Sequence, residues 1–207
     1  MIRFVYLDVG GVALKDFSRS TKWQEFKKDI GVGTDIDEDF DTFFSEYVDK
    51  ICIGMNIEKL LPLITKKFGL NFSPDYSLLE DFVNRFEKNE TIDNVLEVIS
   101  EDRRVGLLTN MYTGMLDSIN NKKLLPEFTW DVIIDSSIEG VLKPQKEIFE
   151  LAQKRAGVRA EEILFVENTK KHVDVAKSLG WNTFLYDSSD YPKASEDLMK
   201  EIVGLLK

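Results

Sequence analysis

The stretch Phe4-Val5-Tyr6-Leu7-Asp8-Val9-Gly10-Gly11-Val12-Ala13-Leu14 decides the fold. Apolar and aromatic residues run almost without a break from Ile2 to Leu7, too continuous for a strand with one wet face, so the segment reads as a strand buried on both sides. It ends in Asp8, and Gly10 with Gly11 permits a close turn directly afterwards. The Asp8 carboxylate is therefore expected at the carboxyl end of a central strand, the edge where open α/β sheets bind ligands. Two readings of Asp8 compete: a turn residue accepting backbone N–H bonds, or a nucleophile or phosphate acceptor at a metal site.

The chain of 207 residues suits one domain of about 130 residues carrying an insertion. No apolar run reaches the roughly 18 residues of a membrane span and the N-terminus lacks a signal-peptide layout, so no membrane partner is expected. A single cysteine, Cys52, excludes an internal disulfide framework and reads as a small buried hydrophobe, which points to a reducing cytoplasm. The net charge of −10, without a basic stripe, excludes nucleic acid as the expected partner while leaving room for a local cationic pocket. One histidine, His172, argues against His-based dyads and His/Cys zinc sites. It is expected in a surface or capping role.

Between Lys15 and Glu90 the apolar spacing is helical. Trp23, Phe26 and Ile30 follow the N-cap candidates Ser20 and Thr21; Phe40, Phe43, Phe44, Tyr47, Val48 and Ile51 form a second stripe. A third helix is expected over Ile57 to Phe68, closed by Gly69, and a fourth over Ser77 to Phe86. The acidic run from Asp35 to Asp49 reads as a solvated helix face. One helix would suffice for a crossover, so the block reads as a helical subdomain over the strand ends. On that geometry Lys15, Arg19, Lys22 and Trp23 are candidate substrate contacts.

From Thr91 the chain alternates. Helices are expected over Thr91 to Ile99, Met115 to Asn121, Pro144 to Ala156, Lys171 to Leu179 and Ser195 to Leu206. Strands are expected over Arg104 to Leu108, Val132 to Ile134, Ile163 to Val166 and Thr183 to Tyr186. This is the pattern of an α/β fold, a doubly wound parallel sheet. Polar residues stand where its strands end. Thr109 and Asn110 follow an apolar strand, where a hydroxyl and backbone N–H groups can hold phosphoryl oxygens. Lys143 precedes Pro144 at a helix start, within reach of the same mouth. Glu167 and Asn168 close another strand, and their oxygens suit Mg²⁺.

Asp8, a helical insertion, Thr109, Lys143 and Glu167 with Asn168, in that order, resemble the haloacid dehalogenase-like superfamily of hydrolases over nearly the whole chain. The resemblance implies a Rossmannoid core of residues 1–14 and 91–207 and a helical cap of residues 15–90. It implies that Asp8 attacks phosphorus to form an aspartyl-phosphate, that Thr109 and Asn110 donate to phosphoryl oxygens, and that Lys143 offsets their charge. Asp8, the Gly10 carbonyl, Glu167 and Asn168 would bind Mg²⁺. A carboxylate beside Mg²⁺ and a lysine is expected to stay ionised.

The sequence departs from that pattern twice. The usual second aspartate, a general acid, is Gly10 here, and Asn168 stands where an acidic residue is common. The Gly-Gly-Val turn resembles a branch that includes sugar-phosphate phosphatase-like proteins. The reading is thus a Mg²⁺-dependent phosphatase of a small phosphorylated metabolite, best on esters whose leaving group needs little protonation, with Gly10→Asp expected to raise turnover of alkyl phosphates. A metal-independent 2-haloacid dehalogenase fits Gly10 well and Glu167 badly, and a non-catalytic binding protein of the same fold is a further alternative. A signalling receiver domain shares strand-end Asp, Thr and Lys-Pro, but places its acidic pair before the acceptor aspartate.

Overall fold

A computed structural model describes the backbone of residues 1–100 and 103–205. The elements run β1 (Phe4–Leu7), β2 (Leu14–Lys15), α1 (Lys22–Asp29), α2 (Asp37–Cys52), α3 (Leu60–Phe68), α4 (Leu78–Asn84), β3 (Glu87–Lys88) and α5 (Ile92–Ser100). They continue as β4 (Arg104–Thr109), α6 (Met115–Asn121), β5 (Val132–Asp135), α7 (Ser136–Glu139), α8 (Lys146–Ala156), β6 (Ile163–Glu167), α9 (Lys170–Ser178), β7 (Asn182–Leu185) and α10 (Tyr191–Leu205). No helix among the described residues is long and apolar enough to cross a membrane.

Five strands form a parallel sheet in the order β5-β4-β1-β6-β7. The chain winds outward from β1 through β4 to β5, then crosses back to β6 on the other side of β1. The direction of winding therefore reverses at β1, and the crevice beyond its carboxyl end is the natural ligand site of such a sheet. Successive residues of β1 feed opposite faces. Val5 and Leu7 pack with α5 and α10 residues such as Val95 and Leu198, whereas Phe4 and Tyr6 pack with Phe149 and Ala152 of α8. A strand with a core on each side has no polar positions to spare, which is why its sequence is continuous in apolar residues.

Gly106 in β4 makes that arrangement possible. A Cβ there would stand 2.9 Å from a Tyr6 ring carbon and 3.1 Å from one of Phe4, and would press on the Val132 carbonyl oxygen. Gly106→Ala is expected to cost about 2 kcal/mol, lowering Tm by roughly 4–8 °C. Thermal melts of the two proteins check this, and an unchanged Tm would show that the rings yield.

The helical block leaves and re-enters the core through a two-stranded antiparallel ladder, in which Leu14 pairs with Lys88 and Lys15 with Glu87. Strands of two residues are too short to show a period, so neither β2 nor β3 is legible in the sequence, and the same holds for α7. Inside the block an aromatic cluster joins the helices: the Phe82 ring lies 4.8 Å from Phe26 and 5.0 Å from Phe17. Part of the acidic face of α2 is structural rather than merely solvated. Asp37 and Asp41 hold the buried Lys27 of α1 at 2.7 and 2.9 Å, and Asp41 also accepts from the Trp23 indole.

Helix ends follow the glycines: Gly69 and Gly157 close α3 and α8 with φ of 72° and 65°, in the left-handed region. Boundaries differ from expectation at several places, and the last helix starts at Tyr191 rather than Ser195. The turn Ile57–Lys59 before α3 is 3₁₀. Pro144 lies outside α8, which starts at Lys146 behind Gln145, and the Lys143–Pro144 peptide is cis. The expected end of the last helix at Leu206 lies outside the described residues.

Candidate active site

β1 delivers Asp8 to the reversal point, and the backbone then folds back on itself. The Gly11 amide donates to the Leu14 carbonyl at 2.9 Å, Leu14 to Val9 at 3.0 Å, and Ala13 to Asp8 at 3.2 Å. Asn89, on the returning arm of the block, donates to Val12 O at 2.6 Å and so ties the loop down. Asp8 is almost buried, with Oδ1 accepting the Val9 amide at 2.7 Å.

Lys143 is the centre of the site. Its ammonium is buried and donates to Asp8 Oδ1 at 2.9 Å, Glu167 Oε2 at 2.6 Å and Leu108 O at 2.9 Å, which uses its three protons. The lysine is aimed by its own backbone: Asn110 Nδ2 donates to Lys143 O at 2.9 Å, and Lys143 N donates to Asn110 Oδ1 at 2.8 Å. The ends of β1, β4 and β6 and the loop before α8 thus meet at one cation.

Glu167 is fully buried and its oxygens are engaged: Oε2 also lies 3.1 Å from His172 Nδ1, and Oε1 accepts the Thr169 amide at 2.9 Å. Burial opposes its charge, but Lys143 and His172 outweigh that and hold its carboxyl down at about 2. Asp8 moves the other way. Burial, followed by the charge of Glu167, outweighs Lys143 and pushes Asp8 up to about 7. Lys143 by itself does not offset burial and the charge of Glu167; the expectation of an ionised Asp8 counts on Mg²⁺ as well as the lysine.

Asn168 is oriented by a short relay. Ser188 Oγ donates to Gly11 O at 2.7 Å, so it must accept from Asn168 Nδ2, 3.0 Å away. The amide oxygen is left with one long contact, 3.4 Å from Thr169 Oγ1. The oxygens available around Asp8 are thus a carboxylate, a carbonyl and an amide; no group of three or more His, Cys, Asp or Glu able to hold a metal assembles among the described residues. Such a hard, mixed oxygen set fits Mg²⁺, which takes one or two carboxylates and keeps its waters. Thr109 is buried at the end of β4, and its hydroxyl has no hydrogen-bond partner among the described residues.

A cavity of about 420 Å³, in the size range of sites for small molecules, opens over part of this set; the buried Thr109 and Glu167 are not among its lining residues. Asp8, Gly10, Asn110, Lys143 and Asn168 line its base, and Phe17, Phe82 and Phe86 from the helical block and its ladder line an apolar wall. Cys52 belongs to that wall; burial pushes its thiol up to about 12, so it contributes bulk rather than a thiolate.

His172 also lines the cavity, where the sequence suggested a surface or capping residue. Lys15, Arg19, Lys22 and Trp23 do not. Lys22 pairs with Glu87 at 2.9 Å, Trp23 packs in the aromatic cluster, Lys15 stands over Tyr191, and Arg19 lines a neighbouring hollow. Asp16, not singled out in the sequence, does face the cavity. Its signal was available only as an acidic residue just beyond the turn.

A family profile described as hydrolase, haloacid dehalogenase-like hydrolase matches residues 58–180. A mouse protein, acyl-CoA dehydrogenase family member 10, is 30% identical over 112 residues; the match covers 53% of this chain but 10% of that protein, so the chain spans about a tenth of its relative. A HAD family enzyme from Bacteroides thetaiotaomicron, solved with magnesium and inorganic phosphate, superposes with a TM-score of 0.73 at 20% identity over 92% of this chain and 96% of its own. L-2-haloacid dehalogenase from Xanthobacter autotrophicus, with chloropropionic acid covalently bound, gives 0.61 at 21% identity over 88% and 76%. At these identities the structural matches speak for the fold.

Proposed function

The chain belongs to the haloacid dehalogenase-like hydrolases, and from that premise we propose that it is a Mg²⁺-dependent phosphatase of a small phosphorylated metabolite, with residues 15–90 acting as the cap. The observation that carries this reading is the buried Lys143 ammonium clamped between Asp8 and Glu167 beneath a cavity of metabolite size. Asp8 is the nucleophile: its oxygen attacks phosphorus, the bond to the leaving oxygen breaks, and water later hydrolyses the aspartyl-phosphate. The Asn110 backbone amide and the unpartnered Thr109 hydroxyl supply donors for phosphoryl oxygens, while Lys143 holds Asp8 in line. Asp8, the Gly10 carbonyl and Asn168 would hold Mg²⁺. Glu167, expected from the sequence as a ligand, already accepts from Lys143 and the Thr169 amide and lies against His172, so its first role is to hold the Lys143 ammonium beside Asp8. The ion, when bound, supplies positive charge against the phosphoryl group and favours ionised Asp8.

The test is phosphate release from a panel of esters in Mg²⁺ and in EDTA. Turnover is expected in Mg²⁺ and a fall of about 10²-fold or more in EDTA. Phosphate release unchanged by EDTA would refute the metal role, and chloride release from 2-chloropropionate that persists in EDTA would instead favour the dehalogenase reading.

Thr109→Val separates fold from function. The hydroxyl has no partner to lose, so stability is expected to change by less than about 1 kcal/mol, whereas kcat/KM falls by about 10²-fold. A variant that loses stability and keeps activity would remove Thr109 from the donor set.

A further inference from the structure

The space beside Gly10 in the turn is occupied by the carboxyl group of Asp16. Gly10 is not among the glycines with positive φ, so its backbone does not require glycine. What forbids a side chain is occupancy. A Cβ on Gly10 would collide with Asp16 Oδ2 and stand 3.1 Å from Asp16 Cγ. The fold-back of residues 9–14 into β2 returns the chain to its own turn, and Asp16 follows immediately after that strand. The Ser18 amide holds Asp16 Oδ1 at 2.8 Å, which fixes the carboxyl group with Oδ2 toward Gly10. Both Asp16 and Asp8 line the one cavity.

Resting on the phosphatase reading, we propose that Asp16 is a catalytic residue, the general acid-base of this enzyme, entering from the ladder into the volume that a side chain at position 10 would fill. In the first step Asp8 Oδ attacks phosphorus. The bond from phosphorus to the leaving oxygen breaks, its electron pair stays on that oxygen, and the Asp16 carboxyl supplies the proton, giving alcohol, aspartyl-phosphate and an Asp16 carboxylate. In the second step water attacks phosphorus and passes a proton to Asp16, while the electron pair of the breaking bond returns to Asp8. Ester and water become alcohol and phosphate, and both carboxyl groups return to their starting states.

This changes what a carboxylate at position 10 should do. The sequence led to the expectation that Gly10→Asp raises alkyl phosphate turnover; with Asp16 in place, the two side chains compete for one volume, and the single variant is expected to lose activity. The rescue belongs to the double change Gly10→Asp with Asp16→Gly.

The experiment compares wild type, Asp8→Asn, Asp16→Asn and the double variant on an alkyl phosphate and on nitrophenyl phosphate, whose phenolate leaves without a proton, with thermal melts alongside. Asp16→Asn is expected to lose about 10²- to 10³-fold in kcat/KM on the alkyl ester and less than about fivefold in kcat/KM on the nitrophenyl ester, whose first step needs no proton, while kcat falls on both because the attack of water also uses Asp16. The double variant is expected to regain at least about tenfold over Asp16→Asn on the alkyl ester. Equal losses of kcat/KM on both esters, a raised Mg²⁺ requirement in place of a leaving-group effect, or no regain in a folded double variant would each overturn the assignment. If Asp8→Asn keeps wild-type turnover, or wild type hydrolyses neither ester, the phosphatase reading falls and this proposal falls with it. If only the leaving-group contrast fails, that reading stands.

Discussion

Asp8→Asn is expected to lose about 10⁴-fold or more in phosphate release while melting at or above the wild-type temperature at pH 8 in EDTA. The loss follows from the nucleophile: an amide has neither the charge nor the lone-pair basicity to displace an alkoxide from phosphorus, and removal of a nucleophile of this kind is among the largest single-residue effects in enzymes. The stability follows from the environment. Asp8 is buried, shares the Lys143 ammonium with Glu167, and its carboxyl is pushed up to about 7, above its ordinary value. The folded chain therefore binds that proton more tightly than the unfolded chain, so wild type gains stability as pH falls from about 8 toward 5. Asparagine takes up no proton over this range and keeps an oxygen for the Lys143 ammonium. The gap between the two melting curves should be widest at pH 8 and close near pH 5. A variant that melts far below wild type at both pH values would show that the Asp8–Lys143 pair holds the fold together, contrary to this account.

What could be read in the chain beforehand divides along physical lines. β1 and its position were legible because burial on two faces leaves an unbroken apolar run, and α3 and α8 end where Gly69 and Gly157 adopt φ that other residues resist. The convergence of Asp8, Asn110 and Glu167 was legible from order, since each stands at or next to a strand end and parallel winding brings those ends to one edge, whereas Lys143 lies in the loop between α7 and α8 and is tied to that edge by the Asn110 side chain. Asp16 was not legible. Its role depends on a fold-back stabilised by contacts between Val9, Gly11 and Leu14 and by Asn89 from 77 residues away, none of which has a period. Nor could the sequence show that Glu167 spends its oxygens on Lys143, His172 and a backbone amide, because the division of one ammonium between two carboxylates is a property of distances.

That division makes Lys143 the residue on which the fold should depend most. Lys143→Met keeps the length of the side chain and its contact with Phe165, whose ring centre lies 5.4 Å from the ammonium, but removes the charge between two carboxylates. Asp8 can relax by taking a proton near neutral pH. Glu167 has no exposure and is held ionised by Lys143 first among its favourable partners, so it is left as a buried charge that has lost its main counter-charge. Stranding one member of a buried pair costs about 3–5 kcal/mol, or roughly 6–20 °C in Tm for a chain of this size. The contribution of Glu167 to the pH dependence should change sign. In wild type the low Glu167 carboxyl contributes stability above its unfolded value and loses it as pH falls toward about 2. Without Lys143 that carboxyl rises, so the variant should gain on wild type as pH falls from 7 to 5. The second test is to add Glu167→Gln: a neutral amide no longer needs the ammonium, and the double variant should denature later in urea than Lys143→Met alone, with a coupling of about 2 kcal/mol. Additive losses would mean that the two side chains stabilise the fold separately, and the single-cation description of the site would not survive.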